Sequence, residues 1–183
     1  MALSNTDLIT ELYIGYYNRA PDPAGLAFWL NVHNNGVPLT AIANDFANSA
    51  ESHAIYPFLT SIGSFAGASS FVTQVYNNVL NRAPDSAGLS FWTQQLQSGV
   101  VTPGSFIVTL EASVNMQVGT ADAMILANKV TVGEDYVSRI VAANIAFTEA
   151  SAHGAMAPVT SDPASVATGK AVTTAFIDPP PQS

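Results

Sequence analysis

The side chains best suited to binding chemistry lie in a twelve-residue stretch that the chain contains twice. The first copy covers residues 18–29 and the second covers residues 81–92, with identical residues at ten of the twelve positions. Each copy carries one arginine, Arg19 or Arg82, whose guanidinium can form paired hydrogen bonds to phosphate or carboxylate oxygens. Each also ends in a tryptophan, whose ring can stack on a sugar. The repeat therefore offers two candidate sites for an anionic or sugar ligand.

The same residue types also have a structural interpretation, which we favour. Each arginine can bind the carbonyls at the end of its own helix, or pair with Asp22, Asp85 or Glu51. The two tryptophans lie on apolar stripes with leucines, which is typical of core residues. The aspartates resemble calcium ligands in type, but no alternation of acidic residues follows them, so we expect them to cap helices. The predicted structural residues of the motif are Asp22, Gly25, Trp29, Asp85, Gly88 and Trp92.

Proline and glycine mark where the helices around the repeat begin and end. Pro21 and Pro84 disfavour the α conformation in the residue before them, so a helix must end near the preceding Asn-Arg-Ala. A new helix then begins with the aspartate as its N-cap, and Gly36 and Gly99 close it in the left-handed conformation. The repeat is thus a helix stop, a turn and a helix start. We expect its Phe-Trp pair to lock the second helix onto the core.

A three-helix unit around the repeat is itself duplicated. Ser4 and Asp7 form a predicted capping box for a first helix that ends near Asn18. The apolar spacing on the inner face of this helix returns in the second copy over residues 72–80. The predicted units cover about residues 4–56 and 68–119, with third helices over about residues 38–52 and 103–118.

Further helices are expected after the duplication, and the whole chain is predicted to be all-α. No β-hairpin dipeptide is flanked by alternating apolar residues. We predict one helical bundle over residues 1–177, with about eight or nine helices and a connection over residues 56–70 that includes one short helical turn. The remaining predicted segments are a helix from Asp122 to about Lys129, another from Glu134 or Asp135, a flexible stretch over residues 150–160, a helix from Asp162–Pro163 to about Phe176, and a linker or disordered tail over residues 178–183.

Composition excludes several classes of function. The net charge of −8 argues against nucleic acid, whose phosphates require clustered lysine and arginine. The chain has no cysteine, which excludes disulfides, thiolate zinc sites and cysteine nucleophiles. Its three histidines lack metal-binding spacing and no P-loop, nucleophile elbow or dinucleotide motif occurs, so we predict no enzyme activity, metal or cofactor. The amino-terminal residues lack the pattern of a cleaved signal peptide, and no apolar run suits membrane insertion.

The repeated motif resembles that of a known bacterial domain. The pattern Arg-x-Pro-Asp-x-x-Gly-Leu-x-Phe-Trp, followed by Phe-Ala-Asn-Ser-Ala-Glu at residues 46–51, looks like a domain of unknown function attached to repeat-in-toxin (RTX) exoproteins and S-layer proteins. More faintly, the chain is similar to the helical amino-terminal anchoring region of Gram-negative S-layer proteins. The resemblance covers about residues 8–170 and implies type I secretion with an uncleaved carboxy-terminal signal. The second copy departs from the pattern, since Asn115 stands where Glu51 stood.

The resemblance and the composition together lead to a functional expectation. We expect a cell-surface anchoring module of a secreted Gram-negative protein that binds surface glycan, above all the O-antigen part of lipopolysaccharide. The alternatives are a lattice module whose helices contact copies of itself, and an interaction domain like the helical linkers of cyanobacterial antennae, which tend to be basic. The calcium-binding repeats of RTX proteins do not occur here, so calcium is expected only elsewhere in a full-length protein. The candidate ligand-binding residues are Arg19, Arg82, Asn34, Asn35, Gln94 and Gln95.

Overall fold

The computed structural model describes residues 3–60 and 65–179, and every regular element in them is helical. This part of the chain contains ten α-helices, one short 3₁₀ helix at Pro57–Thr60 and no strand. The predicted all-α class is therefore confirmed. None of these helices is both long enough and apolar enough to span a membrane. The helices are α1 (Asn5–Tyr17), α2 (Pro23–Asn34), α3 (Leu39–Ala47), α4 (Ala50–Ile55), α5 (Phe65–Leu80), α6 (Ser86–Gln97), α7 (Pro103–Asn115), α8 (Ala121–Ala142), α9 (Glu149–Met156) and α10 (Ala164–Ile177).

The helices of the duplicated unit follow the capping signals of the sequence. Ser4 and Asp7 form the predicted capping box of α1. The two aspartates of the repeat cap α2 and α6, also as predicted. Gly36 and Gly99, which follow these two helices, have φ values of 93° and 71°, in the left-handed region that favours glycine. Local residue chemistry therefore accounts for where α1 begins and for where α2 and α6 begin and end.

The two copies pack against each other and share one core. α1 lies against α5, and the predicted inner faces of both helices are buried. α3 lies along α7, where Gly104 allows close approach: a Cβ at this position would stand 2.6 Å from the Asn44 nitrogen and 2.7 Å from the Ala43 carbonyl carbon. The main hydrophobic core spans both copies, and a smaller cluster lies among α8, α9 and α10.

The third helix of the first copy is shorter than predicted. The chain leaves α3 after Ala47, and Ser49 then caps α4 by accepting a hydrogen bond from the Ser52 amide at 3.0 Å. The predicted helix over residues 38–52 is therefore two helices, the second of which is capped by the Ser49 side chain. In the second copy α7 is unbroken, but it ends at Asn115.

The region after the duplication is more helical than predicted. α8 is one continuous helix, and Thr120 caps it in place of Asp122. It continues through the predicted break, where Gly133 packs so closely against Thr10 and Met156 that a Cβ would make contacts of only 3.1 and 3.2 Å. α9 forms within the stretch that we expected to be flexible. The third helix of the first copy is divided in two and α9 is an additional helix. The described residues therefore contain ten α-helices, more than the eight or nine that we predicted.

The remaining boundaries agree with the sequence more closely. α10 starts directly after Asp162–Pro163, as predicted. The connection between the copies contains the predicted short turn as its 3₁₀ helix, although α5 begins at Phe65, before the predicted start of the second unit. Residues 61–64 of the connection and residues 180–183 of the predicted tail lie outside the described residues.

A buried polar cluster joins the C-terminal ends of α1 and α5 to α8. Lys129 on α8 is fully buried, and its ammonium donates to the Asn78 carbonyl and, at 3.0 Å, to Asn18 Oδ1. The Asn78 side-chain amide donates to the Gly15 carbonyl at 2.9 Å and to the Tyr56 hydroxyl at 3.0 Å. Carbonyls at a helix C-terminus lack partners within the helix and carry the negative end of its dipole, which suits a cation. Burial nevertheless lowers the pKa of Lys129 to about 8.

We expect Lys129→Ala to lower the free energy of unfolding by about 2–4 kcal/mol, because it removes a packed side chain and leaves buried acceptors without a donor. Lys170 is the matched control, since the one polar contact of its half-buried side chain with the described residues is an ion pair with Asp135 at 3.2 Å. Lys170→Ala should cost less than about 1 kcal/mol. Urea unfolding followed by circular dichroism measures both. Equal losses for the two variants would show that the cluster does not organise the fold.

Candidate functional site: the repeated motif and its exposed faces

The aspartate of each motif holds the turn that starts α2 or α6. Asp22 Oδ1 accepts a hydrogen bond from the Gly25 amide at 2.6 Å, and Asp85 Oδ1 accepts one from the Gly88 amide at 2.7 Å. In the first copy the Tyr13 hydroxyl also donates to Asp22 Oδ2 at 3.2 Å. Both carboxylates therefore act as helix caps, which agrees with the structural interpretation of the motif.

The two motif glycines differ in the space around them. A Cβ at Gly25 would overlap the Tyr13 hydroxyl oxygen. At Gly88 the nearest atoms would be Asp85 Oδ1 at 3.3 Å and the Tyr76 hydroxyl at 3.5 Å. The turn of the first copy is thus closed by a tyrosine and requires glycine, whereas the turn of the second copy is looser.

Arg19 is buried and its donors are used within the chain. Its Nε and Nη2 donate to the two oxygens of Glu51 at 2.9 and 2.8 Å, and Nη1 donates to the Ala20 carbonyl at 2.9 Å. Burial is the largest single effect on Arg19 and opposes its charge, but the hydrogen bonds to Glu51 and the charge of Glu51, with smaller contributions from Tyr13 and Asp22, together raise the pKa of Arg19. The predicted pairing of Arg19 with Glu51 is confirmed. The guanidinium carbon also lies 5.0–5.1 Å from the ring centres of Tyr13, Tyr17 and Phe147.

Arg82 forms the same kind of pair with a different partner. Its Nε and Nη2 donate to the two oxygens of Asp122 at 3.0 and 2.6 Å, so Asp122 takes the role expected of Asp85. Asn115, which replaces the acid of the first copy, instead binds a glutamate of α1. The Arg82 side chain is 48% exposed, compared with 4% for that of Arg19. Sequence reasoning missed this pair because nothing in the local spacing links Arg82 to a residue on α8.

A cavity of about 220 Å³ opens beside the ion pair of the first copy. Its walls include the rings of Tyr17, Trp29 and Phe46, while Ser49 and the exposed Asp45 supply polar atoms. Aromatic walls with a few polar groups are typical of small-molecule sites. Within the described residues, no three histidine, cysteine, aspartate or glutamate side chains are grouped so as to hold a metal ion.

The four predicted amide residues lie near the C-terminal ends of α2 and α6. Asn34 Oδ1 accepts a hydrogen bond at 2.7 Å from the side chain that begins α1, and Asn35 Nδ2 donates to the Asn31 carbonyl at 2.8 Å. Gln94 is exposed and Gln95 is half-buried. The amides of each copy are thus close to the motif in sequence, but they do not surround either arginine.

The phenylalanine of each Phe-Trp pair points away from the core. Phe28 is 58% exposed and Phe91 is 54% exposed, whereas Trp29 and Trp92 pack on core phenylalanine rings with centre distances of 5.4 and 5.0 Å. The expectation that both aromatic residues lock the helix onto the core is therefore wrong for the phenylalanines. Consecutive residues project about 100° apart around a helix, so each phenylalanine, two positions after the core-facing leucine of its motif, lies about 200° from that leucine on the outer side. This angle, applied to the sequence, was the signal that could have identified both phenylalanines as outward-facing.

Each exposed phenylalanine shares a helix surface with polar side chains. Residues three and seven positions later lie on the same side of a helix, and at these positions both copies have exposed side chains that can form hydrogen bonds. In the first copy the two amides at these positions also contact each other at 3.2 Å. We call these two surfaces the aromatic faces. The first consists of Phe28, Asn31 and Asn35, and the second of Phe91, Gln94 and Ser98.

The duplication can also be compared with known families. The sequence model of a family described as domain of unknown function DUF4214 matches the chain twice, over residues 1–56 and 58–117. The chain belongs to the DUF4214 family. Each DUF4214 match contains one copy of the motif and its three-helix unit, and α8, α9 and α10 follow the second match. Comparison with curated proteins and with solved structures gives no match.

We expect Gly25→Ala to lower the free energy of unfolding by about 1–3 kcal/mol, because the new methyl group would displace the Tyr13 hydroxyl. Gly88→Ala is the matched control at the equivalent position. It should change stability by less than about 1 kcal/mol, since the small strain there is offset by the better helix propensity of alanine. Chemical unfolding of both variants gives the comparison. A smaller loss for Gly25→Ala than for Gly88→Ala would contradict the difference between the two turns.

Proposed function

We propose that this chain is a glycan-binding module that attaches a secreted bacterial protein to the cell surface through its two aromatic faces. The observation that carries the proposal is the repeated exposure of Phe28 and Phe91, each beside polar side chains. The other large apolar residues of the motif, its leucines and tryptophans, are buried or packed against the core. Packing of the core therefore does not explain why the motif carries a phenylalanine at this position.

The chemistry of the aromatic faces suits neutral sugars. A flat ring packs against the C–H surface of a pyranose, while asparagine and glutamine side chains both donate to and accept from hydroxyl groups. Both arginines are already paired with carboxylates, which argues against a ligand bound through phosphate or carboxylate groups. The neutral O-antigen part of lipopolysaccharide is therefore the proposed ligand.

Two faces on one chain favour a polymeric ligand. When two sites bind the same polysaccharide, the second contact forms at a high effective concentration, so weak individual sites can produce firm attachment. A repeating surface polysaccharide offers many equivalent units for such binding. The resemblance to domains of S-layer and RTX-type proteins supports the same location at the surface of a Gram-negative cell.

The proposal is tested by binding of the purified chain to cells, or to extracted lipopolysaccharide, with and without O-antigen. We expect binding only where O-antigen is present. Replacing both Phe28 and Phe91 by alanine should weaken binding by roughly tenfold or more, equivalent to about 1.4 kcal/mol. The matched control replaces Val141 and Ile145, two exposed apolar residues outside the aromatic faces, and should leave binding unchanged.

Each alternative outcome of this experiment has a distinct meaning. Equal binding to lipopolysaccharide with and without O-antigen, or to neither, would overturn the proposal. Loss of binding in Asp45→Ala but not in the phenylalanine double variant would place the glycan in the cavity beside Arg19 instead. Because both phenylalanines are exposed, their replacement should leave the melting temperature nearly unchanged, which separates loss of binding from loss of fold.

Self-association in a surface lattice is the second candidate function. Met116 and Val118, between α7 and α8, are among the most exposed apolar residues of the described chain. Exposed apolar surface favours contact with another protein. Sedimentation of the chain at increasing concentration without glycan distinguishes the candidates: assembly that stops when Met116 and Val118 are replaced would favour the lattice function.

A further inference from the structure

Two buried glutamates meet between α1 and α7, away from the aromatic faces. Glu11 on α1 and Glu111 on α7 are each only 2% exposed. The Asn115 side-chain amide donates to both oxygens of Glu11, at 2.9 and 3.2 Å. Neither oxygen of Glu111 has a hydrogen-bond partner among the described residues. A buried carboxylate without a partner is costly, so its presence requires an explanation.

The surroundings of this pair are acidic. Neither carboxylate forms an ion pair with a basic side chain of the described residues. Asp7, one turn before Glu11 on α1, adds negative charge, and Glu134 on α8 interacts with Asp7. Burial raises the pKa of Glu11 to about 7, and burial together with the charge of Glu11 raises the pKa of Glu111 well above its usual value. The pair lacks a compensating cation.

The duplicated fold does not itself require these two acids. The position of Glu11 is occupied by Gln74 in the second copy, and the position of Glu111 is occupied by Ala47 in the first copy. Gln74 is exposed and Ala47 is buried, so neither equivalent position holds a buried charge. The buried acidic pair is therefore not part of the repeated pattern.

A cavity of about 240 Å³ adjoins the pair. Glu11, Glu111 and Asn115 line its polar part. Exposed residues at its edge, Leu3 and Ala112, show that the cavity is accessible from solvent. The apolar part of its wall consists of Leu3, Leu8, Leu39 and Val108.

We infer that this cavity binds a primary alkylammonium group, with the ammonium between Glu11 and Glu111 and the alkyl chain against the leucines and valine. An ammonium has three N–H donors and one positive charge, so it supplies the donors and the charge that Glu111 lacks. Calcium fits less well, because it requires about six to eight oxygen ligands and the polar wall offers two carboxylates and one amide. The same chemistry occurs in a free aliphatic amine and in the lysine side chain of a partner protein.

The inference is tested by calorimetric titration of the whole chain with pentylamine at about pH 8. We expect saturable binding of pentylamine and none of pentanol, which has the same alkyl chain without the charge. Glu111→Gln should abolish binding while keeping the side-chain volume, and circular dichroism verifies its fold. Glu149→Gln, at an exposed glutamate of α9, is the matched control and should bind as the unmodified chain does.

Protons and the amine compete for the two carboxylates, so affinity must depend on pH. Lowering the pH to about 5.5 should weaken binding by about tenfold or more, because a carboxyl with a pKa near 7 is then largely protonated. A parallel titration with Nα-acetyl-lysine methylamide separates the two sources of the ligand. Binding of pentylamine alone indicates a free amine, and binding of the lysine derivative indicates a lysine of a partner. Failure of both compounds, or binding that persists in Glu111→Gln, would overturn the inference.

Discussion

The buried ammonium of Lys129 is the constraint on which the arrangement of the helices depends. A charge in a protein interior is stable only where polar groups replace its water, and here those groups belong to different copies of the duplicated unit. Asn18 ends the first helix of one copy, and Asn78 lies near the end of the first helix of the other. Both ends must therefore converge on one point of α8. The pairing of α1 with α5 and the position of α8 across them are consequences of the same requirement.

The region after the duplication makes the two copies unequal. It covers the first motif, where the Phe147 ring lies over Arg19 and the Ala20 amide donates to the Ala152 carbonyl at 3.3 Å. The second motif is less covered, and Arg82 remains half exposed beside Asp122. Two nearly identical stretches of sequence thus have different surroundings. Only features that are the same in both copies despite these different surroundings, such as the outward-facing phenylalanines, can have the same role in both.

Local chemistry made part of this structure predictable. The capping residues, the left-handed glycines and the apolar stripes could be predicted from the sequence because each depends on neighbours within one or two helical turns. Contacts between distant segments could not be predicted in this way. The predicted break near Gly133 is wrong: α8 continues there, and the glycine packs against Thr10 and Met156, which lie far away in the sequence. The partner of Arg82 and the acidic pair were missed for the same reason, since α7 and α8 supply them from far along the chain.

The close approach at Gly104 makes the two halves of this protein non-interchangeable. In the first copy the equivalent position is occupied by Thr40, and the Gly104 contact leaves no room for a Cβ. A chimaera that carried the first half in both places would put a threonine at position 104. Its Cβ would then stand 2.6 Å from the Asn44 nitrogen and 2.7 Å from the Ala43 carbonyl carbon, so α3 and α7 would have to move apart.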